Sequence, residues 1–227
     1  VISDSATHVK ALVVDPGVVP LAAALDPLIT QGMPASVTAE TGIDALTHAL
    51  EGWMSQFATA QTDGYNRTAV RLILNNLETA CAEPNNLAAR DAMALGSHYA
   101  GLCLSTSAVG YVHAIAHQLG ARYSVPHGRA NAMVLPHVLA FNQPACVKKL
   151  GQLARDLDLA PAGATDSTAA DALSARVRDL LQSLPIRRSG AMIQRSDYAR
   201  MANDALTEAH GMYAVPRYMA EEDVYRV

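Results

Sequence analysis

The sequence predicts an all-α helical domain preceded by a short β remnant, and three observations carry that prediction. Apolar residues recur at helical spacing from about Thr38 onward. Capping and stop residues cut that stretch into segments joined by short connections. Only the first thirty residues carry β-type runs. The chain has 227 residues, half of them apolar and 17% charged, which supports one or two domains with a sizeable core and excludes low-complexity disorder. A formal charge of −4 argues against a mainly electrostatic nucleic-acid binder. No apolar run approaches the roughly 18 residues of a membrane span, and VISDSATHVK lacks the basic start and apolar stretch of a secretory signal. The three cysteines, Cys81, Cys103 and Cys146, form no CxxC pair and suit a reducing compartment as small buried apolar residues. The expectation is a soluble cytoplasmic protein with neither a nucleic-acid nor a membrane partner.

The elements follow in order. Residues 8–14, HVKALVV, read as a strand closed by Asp15-Pro16-Gly17, and 18–25 read as a second run ending at Asp26-Pro27. Two strands make no stable sheet alone, so they are expected to be the trailing edge of a sheet whose other strands are missing. This divides the chain into a tail and linker, 1–30, and a helical metal-binding domain, 31–227. Thr38-Ala39-Glu40-Thr41 opens a helix with Ile43, Leu46, Leu50, Trp53 and Met54 on its apolar stripe. Thr62 or Asp63 is expected to cap the next helix, which Pro84 ends. A third helix spans about 87–104, and a fourth, 107–119, is expected to stop at Gly120. Then come 129–141, with Pro136 expected to kink it, and 145–159, closing at Pro161. After a loop over 160–168, helices are expected at 169–184, at 196–210 and from about Met219. No internal repeat is present.

The eight histidines carry the chemical information. Asp44 and His48 stand four apart on one expected helix and project from the same face; His113 and His117 do so on another, and His127 lies in the Pro126-His127-Gly128 turn. Taken singly, such pairs are ordinary surface contacts. Together, with Val109, Val112, Ile115, Ala116 and Leu119 around one pair, they describe converging donors in an apolar setting, where unsatisfied imidazoles are costly. Glu51, one turn beyond His48, is placed to orient a ligand. A carboxylate and up to three imidazoles without thiolate suit Fe(II) or Zn(II). His8, His98, His137 and His210 lack comparable partners and read as structural, although His210 precedes the loop Gly211-Met212-Tyr213 and is placed to reach a pocket.

Four stretches then carry a family resemblance: TGIDALTHALE (41–51), GYVHAIAH (110–117), PHGRANA (126–132) and LPHV (135–138), with Asp26-Pro27 and Met33-Pro34 at the linker. They resemble the iron-containing (class III) alcohol dehydrogenases. The resemblance implies a two-domain enzyme with an NAD(P)-binding α/β half and a helical, dehydroquinate synthase-like half, of which this chain matches the second and the tail of the first. It implies that Asp44, His48, His113 and His127 ligate the metal, that catalytic His117 sits beside substrate and nicotinamide, and that Ile29 lies against the cofactor. The implied reaction is metal-assisted hydride transfer between a small alcohol or aldehyde and NAD or NADP, with Fe(II) or Zn(II), in an enzyme expected to be a homodimer. The chain departs from the pattern in having no glycine-rich phosphate-binding segment, Gln118 where proline is frequent, and Leu104 where phenylalanine is frequent. Without that segment it is expected to bind nicotinamide cofactor poorly alone. Three other readings use the same donors: a metal-dependent hydrolase, a zinc-dependent relative of glycerol dehydrogenase or dehydroquinate synthase, and a non-catalytic helical module stapled by metal.

Overall fold

The computed structural model describes residues 2–3, 10–11, 15–187 and 193–227. Among these, eight α-helices follow two minimal strands: α1 (Ala35–Met54), α2 (Ala60–Ala82), α3 (Leu87–Ser107), α4 (Tyr111–Tyr123), α5 (His127–Asp156), α6 (Asp166–Ser183), α7 (Tyr198–Met212) and α8 (Glu221–Arg226). The strands, β1 (Ile2–Ser3) and β2 (Lys10–Ala11), pair antiparallel with Ile2 opposite Ala11. The all-α expectation holds. Of the expected strand over 8–14, only Lys10 and Ala11 are described; the rest, with His8, lies outside the described residues. The second β run is not a strand: Pro16–Val18 forms a 3-10 turn and the chain beyond it is irregular, with Val18, Val19 and Leu21 exposed. β-propensity without a neighbouring strand to pair with makes no strand.

The helix boundaries follow local chemistry. Pro34 stands just before α1, pre-set for a helix start, so α1 begins three residues before Thr38. The cap of α2 is Thr59, not Thr62 or Asp63: the Thr59 hydroxyl accepts the Thr62 N–H at 3.2 Å, and the Thr62 hydroxyl accepts the Thr59 N–H at 2.8 Å. Asn86 caps α3 by accepting the Ala89 N–H at 3.1 Å. Gly120 does not end α4; the helix runs on to Tyr123, and Ser124 takes the left-handed conformation (φ 52°) that terminates it. The segments expected at 129–141 and 145–159 are one helix, with Pro136 and Pro144 inside it. An internal proline costs about 3 kcal/mol. The buried face of Leu135, Val138, Leu139, Cys146, Leu150 and Leu153 along α5 outweighs that cost.

Packing places α1 at the centre, against α2, α3 and α5; α4 lies between α5 and α7, and α6 covers the far end of α5. Ile43, Leu46, Leu50, Ile73, Leu77, Leu135 and Leu150 are fully removed from solvent at these contacts. Consequently α1, α4 and the first turns of α5 meet, and those three segments carry the residues of the site. No helix among the described residues is long and apolar enough to cross a membrane.

Candidate metal centre

On α1, Glu40, Asp44, His48 and Glu51 follow one another at spacings of four, four and three, so they form a polar stripe on an otherwise buried helix. The α4 side contributes His113 and His117, and the α5 start contributes His127 and Asn131. Asp44 Oδ1 is the hub. It lies 3.3 Å from His113 Nε2, 3.3 Å from His127 Nε2 and 3.6 Å from His48 Nε2, and it accepts the Asn131 side-chain N–H at 2.7 Å. One ligand atom each from Asp44, His48 and His113 falls within 4.8 Å of the others. The His48 and His113 rings stack at 4.3 Å between centroids, and the His117 ring stacks on His127 at 5.3 Å. Thus the structure brings together the four residues expected to bind metal and sets His117 beside them. Ile29 takes no part in these bonds; it sits, 81% exposed, on a 3-10 turn (Pro27–Thr30) packed against α3.

A second layer of groups fixes the donors. Glu51 is buried; its Oε1 accepts the Val112 N–H at 2.8 Å and its Oε2 accepts the His113 Nδ1–H at 2.6 Å. It therefore satisfies an otherwise unpaired N–H in the first turn of α4 and turns His113 so that Nε2 faces Asp44. Gly110 makes room for this: a Cβ there would stand 2.8 Å from Glu51 Oε1. At the other contact, Gly128 lets the start of α5 lie directly on the α1 backbone at Glu40, and the Arg129–Glu40 ion pair at 3.0 Å clasps the two helices.

The electrostatics follow from this crowding. Burial opposes the charge on His113, but its hydrogen bonds to Asp44 and Glu51 win and push it up to about 9. Burial would raise Asp44, yet the hydrogen bonds from His113 and His127 hold its carboxyl far below the usual range. Burial, aided by the neighbouring His113, lowers His48 to about 4. Asp44 is thus ionised and His48 neutral, the forms a divalent cation requires of its ligands, whereas His113 must give up its extra proton to the solvent before its Nε2 can bind one. The buried Asn131 Oδ1 has no hydrogen-bond partner among the described residues, and its amide nitrogen lies 3.4 Å from both His113 Nε2 and His127 Nε2. A carboxylate and imidazoles without thiolate fit a divalent first-row cation.

Four further residues were not signalled as site members by the sequence. Asn131 lies one turn from His127 and Glu40 one turn before Asp44, so helical spacing alone could have found them. Glu208 and Tyr213 had no such signal, because they belong to α7 and the residue that ends it, far along the chain. The His117 Nδ1–H donates to Glu208 Oε1 at 2.7 Å, and the Tyr213 hydroxyl donates to the same oxygen at 2.5 Å. Burial would raise Glu208, but these two bonds hold it below its ordinary value. His210, read as structural though placed to reach a pocket, meets the Tyr111 hydroxyl at 2.7 Å and the edge of Tyr218, where the Tyr111 oxygen also accepts the Met219 N–H. It ties the C-terminal segment to α4. Cys103 and Cys146 are buried and Cys81 half-buried, and burial pushes all three thiols up to about 11, as befits inert core residues.

Comparison with known proteins adds an independent line. A family model described as Fe-containing alcohol dehydrogenase family, C-terminal, matches residues 38–227. The 1,3-propanediol dehydrogenase of Klebsiella pneumoniae is 37% identical over 99% of this chain and 58% of its own length. The 1-propanol dehydrogenase of Salmonella typhimurium is 37% identical over 88% of this chain and 55% of its own length. The chain thus spans less than two thirds of the curated relatives it matches. Among solved structures, a 1,3-propanediol oxidoreductase superposes with a TM-score of 0.83 at 37% identity, covering 88% of this chain and 53% of the other. Sulfoacetaldehyde reductase from Bifidobacterium kashiwanohense, solved in complex with NAD+, superposes with a TM-score of 0.87 at 26% identity over 99% of this chain and 57% of the other.

Proposed function

The chain belongs to the iron-containing alcohol dehydrogenase family, and from that premise we propose that it is the metal-binding part of a nicotinamide-dependent alcohol dehydrogenase. Asp44, His48, His113 and His127 would hold Fe(II), with Zn(II) as the second choice of cation. One observation carries this reading: a single Asp44 oxygen lies within 3.6 Å of three imidazole nitrogens from three different helices, and one of those imidazoles is already aimed by a buried carboxylate. A bound cation would supply Lewis acidity, lowering the pKa of an alcohol oxygen near neutral pH.

The chain's own residues supply position and proton handling. Glu51 keeps His113 fixed from behind, and Asn131 holds the Asp44 carboxylate from the α5 side. His117, stacked on His127 with part of its ring open to solvent, is the residue proposed to pass a proton between substrate and water. A bound NAD or NADP would supply the hydride chemistry. Ile29 is proposed to rest against it, and residues 1–30 to be the tail of the nucleotide-binding region. Small alcohols and aldehydes are the proposed substrates, since the relatives are named for propanediol and propanol. A homodimer is the proposed assembly.

Metal content measured after reconstitution of the chain with Fe(II) or Zn(II) tests the ligand set. Asp44→Ala and His113→Ala should lose the metal while remaining folded. In a polypeptide that includes the α/β region, the same variants should lose nicotinamide-linked oxidation of short primary alcohols. Retention of both metal and turnover would refute the assignment. Metal-dependent phosphoester or amide cleavage without that oxidation would favour the hydrolase. Stabilisation by metal with neither activity would leave a stapled module.

A further inference from the structure

The histidine cluster has one member whose outer nitrogen is held not by its neighbours on α1, α4 or α5 but from α7. His117 donates through Nδ1 to Glu208 Oε1 at 2.7 Å, across 91 residues of chain. Glu208 is itself fixed, because the Tyr213 hydroxyl, just past the end of α7, donates to the same oxygen at 2.5 Å. A neutral imidazole carries one proton, and a carboxylate accepts but does not donate. The nitrogen facing the carboxylate must therefore carry the hydrogen, and the other is left as the basic one. We infer that Glu208 is a positioning residue: it locks His117 in the Nδ1–H tautomer and leaves Nε2 as the nitrogen available to the reacting side. This rests on the reading of His117 as the group beside the substrate.

The plain alternative is that the contact only docks α7 on α4. The structure already provides that docking by other means. Arg122 and Asp204 pair at 2.6 Å between the same two helices, and Met201, Ala202, Ala205 and Ala209 bury the inner face of α7. Moreover, the Glu208–His117 bond is spent on a side chain that stacks at 5.3 Å on His127 and lies 6.0 Å from the His113 ring. A helix tie has no need to end there. Glu208 thus does for His117 what Glu51 does for His113, with the second carboxylate brought from a remote helix.

The test reads the tautomer directly. Long-range 1H–15N correlation spectra of the metal-free chain labelled with 15N-histidine distinguish Nδ1–H, Nε2–H and the doubly protonated ring. His117→Gln assigns the His117 signals. At about pH 8.5, well above the ordinary imidazole value of roughly 6.5, wild type should show His117 as Nδ1–H. Glu208→Leu should move it to Nε2–H or an exchanging mixture, with zinc bound at the wild-type stoichiometry. An Nε2–H signal or a mixture in wild type would overturn the inference, as would an unchanged Nδ1–H signal in Glu208→Leu. Should Glu208→Leu not fold, the wild-type spectrum decides alone. Because the tautomer is read without metal or substrate, its failure is separate from the failure of metal binding, which would sink the functional reading instead.

Discussion

Replacing Gly128 with alanine should drive α5 away from α1 and take part of the metal centre with it. The added Cβ would lie 2.1 Å from the Glu40 carbonyl oxygen, 2.5 Å from its carbonyl carbon and 3.1 Å from its Cα. Ordinary contact begins at 3.4 Å, so the backbones must separate by about 1 Å at this point. Both sides of the clash are main chain, and no rotamer change relieves it. Overpacking of this kind costs 1–3 kcal/mol, and the absence of a compliant partner puts Gly128→Ala near about 3 kcal/mol. For a chain of this size that is a fall in melting temperature of roughly 6–12 °C. The same displacement takes His127 and Asn131 from the Asp44 oxygen that they now approach at 3.3 and 2.7 Å. Zinc affinity should drop by about two orders of magnitude, the upper range for disturbing ligand orientation. Thermal denaturation of the metal-free chain and calorimetric zinc titration measure the two effects. A Gly128→Ala protein that melts and binds zinc like wild type would show that the α1–α5 contact does not set the site.

Other perturbations reach the centre from different sides. Glu51→Gln removes the charge behind His113 and should weaken zinc binding by about 10–100-fold, read by competition with a chromogenic chelator; an unchanged affinity would mean that His113 needs no such support. In the metal-free chain, His113 and His48 bias stability in opposite senses. The raised value of about 9 for His113 gives stabilisation that is complete below roughly 6.5 and lost as pH climbs through 9. The lowered value of about 4 for His48 gives stabilisation that is complete above roughly 6.5 and lost as pH falls toward 4. Urea midpoints should therefore peak near pH 6.5, and His48→Gln should flatten only the acidic limb. Finally, the three thiols, pushed up to about 11, should resist iodoacetamide at pH 8 in the native chain and react freely in urea; fast native alkylation would contradict their placement.

The legible parts of the molecule were those written in local spacing. Asp44 and His48, or His113 and His117, declare a shared face at four residues' separation, and the apolar stripe through Ile43, Leu46 and Leu50 declares where α1 is buried. What local spacing could not show was the partner of each group. Nothing near His117 points to Glu208, and the use of Glu51 at the start of α4 depends on two helices meeting. The boundary errors have the same origin. Gly120 reads as a terminator, but α4 continues because Ser124 accepts the left-handed turn; 129–141 and 145–159 read as two segments, but they are one helix because the long apolar face of α5 is held by its neighbours. The run over 18–25 had strand-forming residues with no partner strand among the described residues, so intrinsic preference had nothing to act on.

The double use of Glu51 has a consequence for how the chain reaches its native register. An α-helix turns by about 100° per residue, so a one-residue slip of α4 would swing His113 off the carboxylate and, in the same motion, strip the Val112 N–H of its acceptor. A buried acid left facing neither partner is a heavy penalty. The misthreaded neighbour of the correct structure is thus disfavoured by the same atoms that prepare the metal site, and proofreading of the helix and assembly of its chemistry become a single event.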